Sequence, residues 1–234
     1  VNEGERRQRL IRLASAATFL ALAAVAVLVA IGLSQTSGGD TSLEDVRLVK
    51  RQLAGIPQRG MVLGDPSAPV TLVEFGDLQC PACKGYAEDV LPRVIESKVR
   101  AGKARIEFRN LPIIGAESTP AAAAALAAGA QGRGWSFVEL FYRNQGIEGT
   151  DYVTNSFLTA IARGAGVRDV ARWNADRHSP DLPERISHEA RQAQELGFSS
   201  TPSFAVSAPG TKGLKLLDGP ASAGELEAAI GHAG

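Results

Sequence analysis

Two cysteines, the only ones in 234 residues, stand together as Cys80-Pro81-Ala82-Cys83. An apolar run, Val70 to Phe75 (VTLVEF), comes just before them, and a helix-like segment comes just after. This order constrains the fold more than any other feature. The run is apolar on both faces, as in a central strand covered by helices on both sides. Pro81 suits the first position of the helix that follows, read over Cys80 to Val99. The pair therefore sits where a buried strand gives way to a helix N-terminus. There, unpaired backbone N–H groups and the positive end of the helix dipole favour thiolate over thiol. Cys80 is expected to be the exposed, low-pKa partner, and Cys83 the more buried partner one turn further in.

Thiol–disulfide redox chemistry is the leading reading of this pair. A structural disulfide would close only a two-residue loop and constrain the unfolded chain little. A zinc site would have two of its four ligands, and His178, His188 and His232 show no ligand spacing. The sequence implies no cofactor and no metal. With 25 basic and 25 acidic residues the formal net charge is zero, which gives no support to a nucleic-acid role.

The remaining elements follow from periodicity and punctuation. A linker containing Gly and Ser (Ser34 to Thr41) leads to a short amphipathic helix over Leu43 to Leu53, then to a loop with a short strand at Met61 to Leu63. Pro92 is expected to kink the helix after the cysteines. Ala104 to Asn110 reads as the next strand. A helical block follows from Gly115 to about His178, and another helix from Pro183 to Leu196. Ser203 to Val206 and Leu214 to Leu217 read as a hairpin, and Ala223 to Ile230 as a closing helix. Trp135, Phe137, Phe141 and Trp173 are read as packing of the helical block. Arg163, Arg168, Arg172 and Arg177 are read as a solvated basic face.

Leu13 to Leu33 carries no charge over 21 residues. As a helix it would reach about 31 Å, the thickness of a bilayer core. Arg6, Arg7, Arg9 and Arg12 precede it, which places the N-terminus in the cytoplasm and the rest outside. The expectation is a single-pass anchor with an extracytoplasmic domain, in a compartment where disulfides persist. Cleavage as a signal peptide, giving a secreted protein, is the alternative.

Three further residues invite attention. Glu74 alternates with Val70 and Leu72 and so falls on an apolar strand face. Beneath the helix it could shuttle a proton to Cys83; equally, it could turn to solvent or pair with Lys84 or Arg109. Thr201-Pro202 opens a strand, an ordinary position for proline.

The stretch Glu74-Phe75-Gly76-Asp77-Leu78-Gln79-Cys80-Pro81-Ala82-Cys83 resembles the active-site segment of DsbA-like disulfide oxidoreductases of the thioredoxin superfamily, in particular the membrane-anchored BdbD type. Ser200-Thr201-Pro202-Ser203-Phe204 is similar to their cis-proline loop. The resemblance covers Gly55 to the C-terminus. It implies an α/β thioredoxin fold with an inserted helical domain, preceded here by the N-terminal transmembrane helix. The implied layout is a cytoplasmic tail (1–12), anchor (13–33), linker (34–54), first thioredoxin half (55–114), helical insert (115–178) and second half (179–234).

The resemblance further implies that Cys80 is the nucleophile, Cys83 the resolving thiol and Glu74 the buried acid. Pro202 becomes cis and faces the cysteines. The Thr201 backbone pairs with an extended substrate, and Pro81 and Ala82 line the same surface. Implied partners are exported thiol-containing proteins and a membrane quinone-linked reoxidase of the DsbB or vitamin-K-epoxide-reductase type. Asp77 falls at an acidic position of this subgroup, with capping and substrate contact both open as roles. Ala82 departs from the histidine of the DsbA archetype, so a milder oxidant is expected. A reductase or isomerase using the same pair, and a non-enzymatic peptide-binding module, are the competing readings.

Overall fold

The computed structural model describes residues 43–210, 213–217 and 221–233. The apolar run over residues 13–33, and with it the expected anchor and tail, lies outside the described residues. Among the described residues no helix is long and apolar enough to cross a membrane.

Among the described residues, thirteen elements and a composite helix follow in chain order. They are α1 (Val46–Gln52), β1 (Gln58–Arg59), β2 (Val62–Leu63), β3 (Val70–Gly76), α2 (residues 81–99), β4 (Ala104–Asn110), α3 (Ser118–Ala130), α4 (Gly134–Arg143), α5 (Asn155–Gly164), α6 (Val170–Asp176), α7 (Leu182–Glu195), β5 (Ser203–Ser207), β6 (Lys215–Leu216) and α8 (Ala223–Ala233). The strands form one sheet in the order β1-β2-β4-β3-β5-β6. β3 runs parallel to β4, with Glu74 opposite Phe108, and antiparallel to β5, with Glu74 opposite Phe204. All seven residues of β3 are buried, as expected for a central strand with helices on both sides.

The expected kink at Pro92 takes a particular form. α2 is helical throughout, but two π-helical turns, Tyr86–Val90 and Ile95–Val99, flank the α-helical turn Leu91–Val94 that holds the proline. The widened turn shifts the hydrogen-bond register where Pro92 has no N–H to give.

Helices α3 to α6 lie between the two halves of the sheet in sequence. α3 is alanine-rich and buried on every side, so it has no polar face to turn outward. Trp135, Phe137, Phe141 and Trp173 are fully buried around it. The two indoles donate to backbone carbonyls, Trp135 to Met61 at 2.7 Å and Trp173 to Ala124 at 2.9 Å. The first of these bonds fastens the helical block to the sheet. Arg163, Arg168 and Arg172 are exposed as expected, whereas Arg177 is half-buried and stacks on Trp173 at 5.2 Å.

Candidate active site: a dithiol between strand, helix and insert

The chain leaves β3 through Gly76, a position that demands glycine. A Cβ there would lie 2.6 Å from the Phe108 ring and 3.0 Å from the Tyr142 hydroxyl. The turn from Asp77 to Cys80 is then held from several directions. The Asp77 carboxylate accepts backbone N–H bonds from Gln79 (2.9 Å), Ile113 (2.7 Å) and Ile114 (2.8 Å). Asp77 therefore neither caps the redox helix nor faces a substrate groove; it joins the end of β3 to the segment after β4. Tyr142 donates its hydroxyl to the Asp77 carbonyl at 3.2 Å. The Gln145 carboxamide donates to the carbonyls of Leu78 (2.7 Å) and Cys80 (3.2 Å). Gln79 donates to Glu117 at 3.0 Å, and Glu117 also accepts from the Val153 amide at 2.9 Å.

Cys80 is the N-cap of α2, with Pro81 at the first helical position, and its sulfur accepts from the Cys83 amide at 3.4 Å. Both cysteines are free thiols. Cys80 was expected to be exposed; it is only 4 % exposed. The reason is the loop before β5. The Cys80 thiol donates to the Thr201 carbonyl at 3.3 Å, and the Thr201–Pro202 peptide bond is cis. A groove of about 350 Å³ beside the cysteines is lined by Ala82, Tyr86, the segment Gly197 to Ser203, and Leu217. Pro81 and Ala82 are exposed at the head of the helix.

The two sulfurs have opposite electrostatics. The Cys80 pKa is lowered from 9.0 to about 6, chiefly by the hydrogen bond from Cys83, with Thr201 and the amides of Cys83 and Ala82 adding to it against the effect of burial. Cys83 is completely buried, and burial, with the Cys80 and Glu74 charges, pushes its thiol well above the ordinary range. Glu74 is also completely buried, and neither of its oxygens has a partner. It does not pair with Lys84 or with Arg109, whose guanidinium binds Glu107 instead. Burial first, then the charges of Glu139 and Cys80, raise the Glu74 pKa from 4.5 to about 8. A thiolate-forming sulfur, a proton-holding sulfur and a protonated carboxyl thus meet at one helix N-terminus, the groups needed for thiol–disulfide exchange.

Comparisons with known proteins agree with this geometry. A family model described as thioredoxin matches residues 57–230. The chain belongs to the thioredoxin family. A probable disulfide bond formation protein D from Bacillus cereus is 37% identical over 147 residues, covering 62% of this chain and 68% of the relative. A thioredoxin-like oxidoreductase from Silicibacter pomeroyi has a similar structure, with 29% identity, TM-score 0.60, and coverage of 81% of this chain and 96% of the other. Oxidised BdbD from Bacillus subtilis shares the fold at 23% identity and TM-score 0.65, over 76% and 96% of the two chains. Within its family the protein is a thiol-disulfide oxidoreductase of the DsbA/BdbD type.

Residues of this site that sequence reasoning did not single out are Gln79, Glu117, Glu139, Tyr142 and Gln145. All but Gln79 lie in the segment between β4 and α7, far from the cysteines in sequence. Glu139 alone carried a readable signal: an acid inside the apolar run WSFVELFYR, at helical spacing from Trp135 and Tyr142.

Proposed function

We propose that the protein is an extracytoplasmic dithiol oxidase, held at the membrane by residues 13–33, that introduces disulfides into exported proteins. Cys80 is the sulfur attacked by the substrate thiolate, and Cys83 is the leaving and resolving thiol. Glu74 supplies the proton that Cys83 needs on leaving and takes it back when Cys83 attacks. Thr201 and Pro202 present an edge beside the cysteines, where an extended substrate segment adds as a strand. Pro81 and Ala82 form the opposite lip. A quinone-linked membrane reoxidase restores the disulfide.

One observation carries this reading: the opposite shifts of Cys80 and Cys83. With its pKa near 6, Cys80 is roughly nine-tenths thiolate at neutral pH in the reduced protein. That stabilises the reduced state by about 1.4 kcal/mol over an unperturbed thiol, about 30 mV toward an oxidant. The test is the reduction potential of the Cys80/Cys83 couple against glutathione. A value well above the ~−270 mV of thioredoxin is expected, and one at or below it sinks the oxidase reading. Trapping mixed disulfides on Cys80 in a Cys83→Ser variant in intact cells should recover exported thiol proteins and the reoxidase.

One feature favours a second reading, in which the pair works as a reductase or isomerase. The Ala82 side chain places no hydrogen-bonding group beside the Cys80 sulfur, so the thiolate relies on Cys83, Thr201 and the amides of Cys83 and Ala82. Thiol trapping in cells separates the two: an oxidase keeps Cys80 largely in the disulfide, and a reductase keeps it free.

A further inference from the structure

Glu139 is a second buried carboxyl that the chemistry above does not use. It is 1% exposed, its Oε1 has no partner, and its Oε2 has a single long bond from Gln52 Nε2 at 3.5 Å. The Arg143 guanidinium stands 4.0 Å away. A buried carboxyl left this poorly satisfied is costly, so two of them in one core need an explanation.

Their placement suggests one. Trp135, Glu139 and Tyr142 recur at i, i+4 and i+7 and so share one face of α4. Trp135 and Tyr142 both meet Phe108 edge-on, each with ring centroids 6.4 Å apart. Phe108 is the direct partner of Glu74 across β3 and β4. Glu139 therefore stands between the two aromatic side chains that cover the Phe108–Glu74 rung. Toward the outside it meets Gln52 of α1 and Arg143. Arg143 in turn bonds Asp45 at 3.2 Å, and the Asp45 side chain is 45% exposed. Polar groups thus run from Glu139 through Gln52 and Arg143 to Asp45 at the surface, and the Glu139 charge reaches Glu74 across the aromatic layer with no hydrogen bond between the two carboxyls in the resting structure. None of these residues lines the groove beside Thr201 and Pro202.

We propose that Glu139 is the proton-positioning residue that keeps Glu74 charged with its proton, connecting the buried end of the redox centre to solvent beside Gln52 and Arg143. The step rests on the proposed roles of Cys80, Cys83 and Glu74, and its atoms balance. A substrate thiolate forms a bond to Cys80 Sγ, the Cys80–Cys83 bond breaks, and its electron pair leaves on Cys83 Sγ. The Glu74 carboxylic acid gives its proton to Cys83. Glu139 gives its proton to the Glu74 carboxylate and takes another from water at the Gln52–Arg143 mouth. When the Cys83 thiol attacks during reoxidation, the proton runs the other way.

The electrostatics fit a relay working near neutral pH. Burial raises Glu139 from 4.5 to about 7, with Arg143 and Gln52 opposing and Glu88 adding. The Glu139 charge is in turn the second cause of the raised Glu74 pKa. The titratable groups around the pair are Glu88 and the two cysteines from the region of α2, Tyr142 and Arg143 from α4, and Asp45 at the start of α1.

The experiment uses the oxidised protein and measures single-turnover attack by a small dithiol between about pH 5 and 9, comparing wild type with Glu139→Gln, Glu139→Asp and Glu74→Gln. Infrared titration of the buried carboxyls runs alongside. Glu139→Gln is expected to slow attack roughly tenfold near neutral pH, to lower the Glu74 midpoint and to leave the Cys80 thiolate titration in place. Glu139→Asp should restore most of the rate, which a purely structural role would not predict. Wild-type rates and an unmoved Glu74 midpoint in a folded Glu139→Gln protein overturn the relay. If Glu74→Gln also leaves the pH profile unchanged, the role assigned to Glu74 fails with it. If only Glu74→Gln alters the profile, Glu74 stands and the relay alone falls.

Discussion

Replacing Glu74 by Gln should make the protein more stable at neutral pH than at acid pH, relative to wild type. The folded-state pKa of Glu74 is raised from 4.5 to about 8, mainly by burial. Between those values the folded protein holds a proton that the unfolded chain has released. Stability therefore falls as pH rises through this window, and the full contribution is present only below about pH 4.5. At pH 7 the loss amounts to about 3 kcal/mol; at pH 4 it is close to zero. Gln does not titrate, so Glu74→Gln escapes this loss, and any fixed cost of burying a carboxamide is the same at both pH values. The difference in unfolding free energy between variant and wild type should shift by about 3 kcal/mol from pH 4 to pH 7. In urea this is roughly 1.5 M in midpoint for a slope of about 2 kcal/mol/M. The assay is urea denaturation of the oxidised protein, which removes the Cys80 thiolate from the comparison. A difference constant to within about 0.5 kcal/mol would show that Glu74 is not a proton-holding acid in the folded protein, and the assigned chemistry would lose its donor.

Other expectations are simpler. Asp77→Ala removes the acceptor of three backbone N–H bonds and should destabilise by about 3 kcal/mol in the same denaturation assay; a loss within experimental scatter would mean the turn is held by Tyr142 and Gln145 alone. Thr201→Val removes the side-chain hydroxyl that helps to lower the Cys80 pKa and keeps the carbonyl that meets the thiol, so the Cys80 midpoint should rise above about 6 in thiolate absorbance against pH; an unmoved midpoint would mean that Cys83 and the backbone amides set it alone. Ala82→His should push the Cys80 midpoint below about 6 and raise the reduction potential by roughly 30 mV for each unit of that shift; thiolate absorbance against pH and glutathione equilibration would read both.

Much of this architecture was legible because its signals are local. The unbroken apolar run of β3, the Pro81 after Cys80 and the alternation in β4 each report on their own element. Glu74 was readable as an anomaly on an apolar face, although its lack of any partner depends on how α4 packs above it. Tertiary placement hid the rest. β1 is two residues long and, among the described residues, pairs with β2 alone, too short to carry a period of its own. The burial of Cys80 depends on a carbonyl 121 residues away. Asp77 looked like a cap or a substrate contact because sequence shows its nearness to Cys80 but not the loop returning from β4.

The turn that carries the redox pair also has a history in the order of synthesis. Its Leu78 and Cys80 carbonyls are bonded by Gln145 and its Asp77 carbonyl by Tyr142, residues some 65 positions downstream. A chain emerging N-terminus first exposes both cysteines long before α4 can reach back to hold them. Until it does, the turn lacks the Tyr142 and Gln145 bonds that hold it, and Thr201, which helps to lower the Cys80 pKa, arrives later still. The reactive asymmetry of the dithiol is therefore complete only once the segment before β5 has folded against the turn.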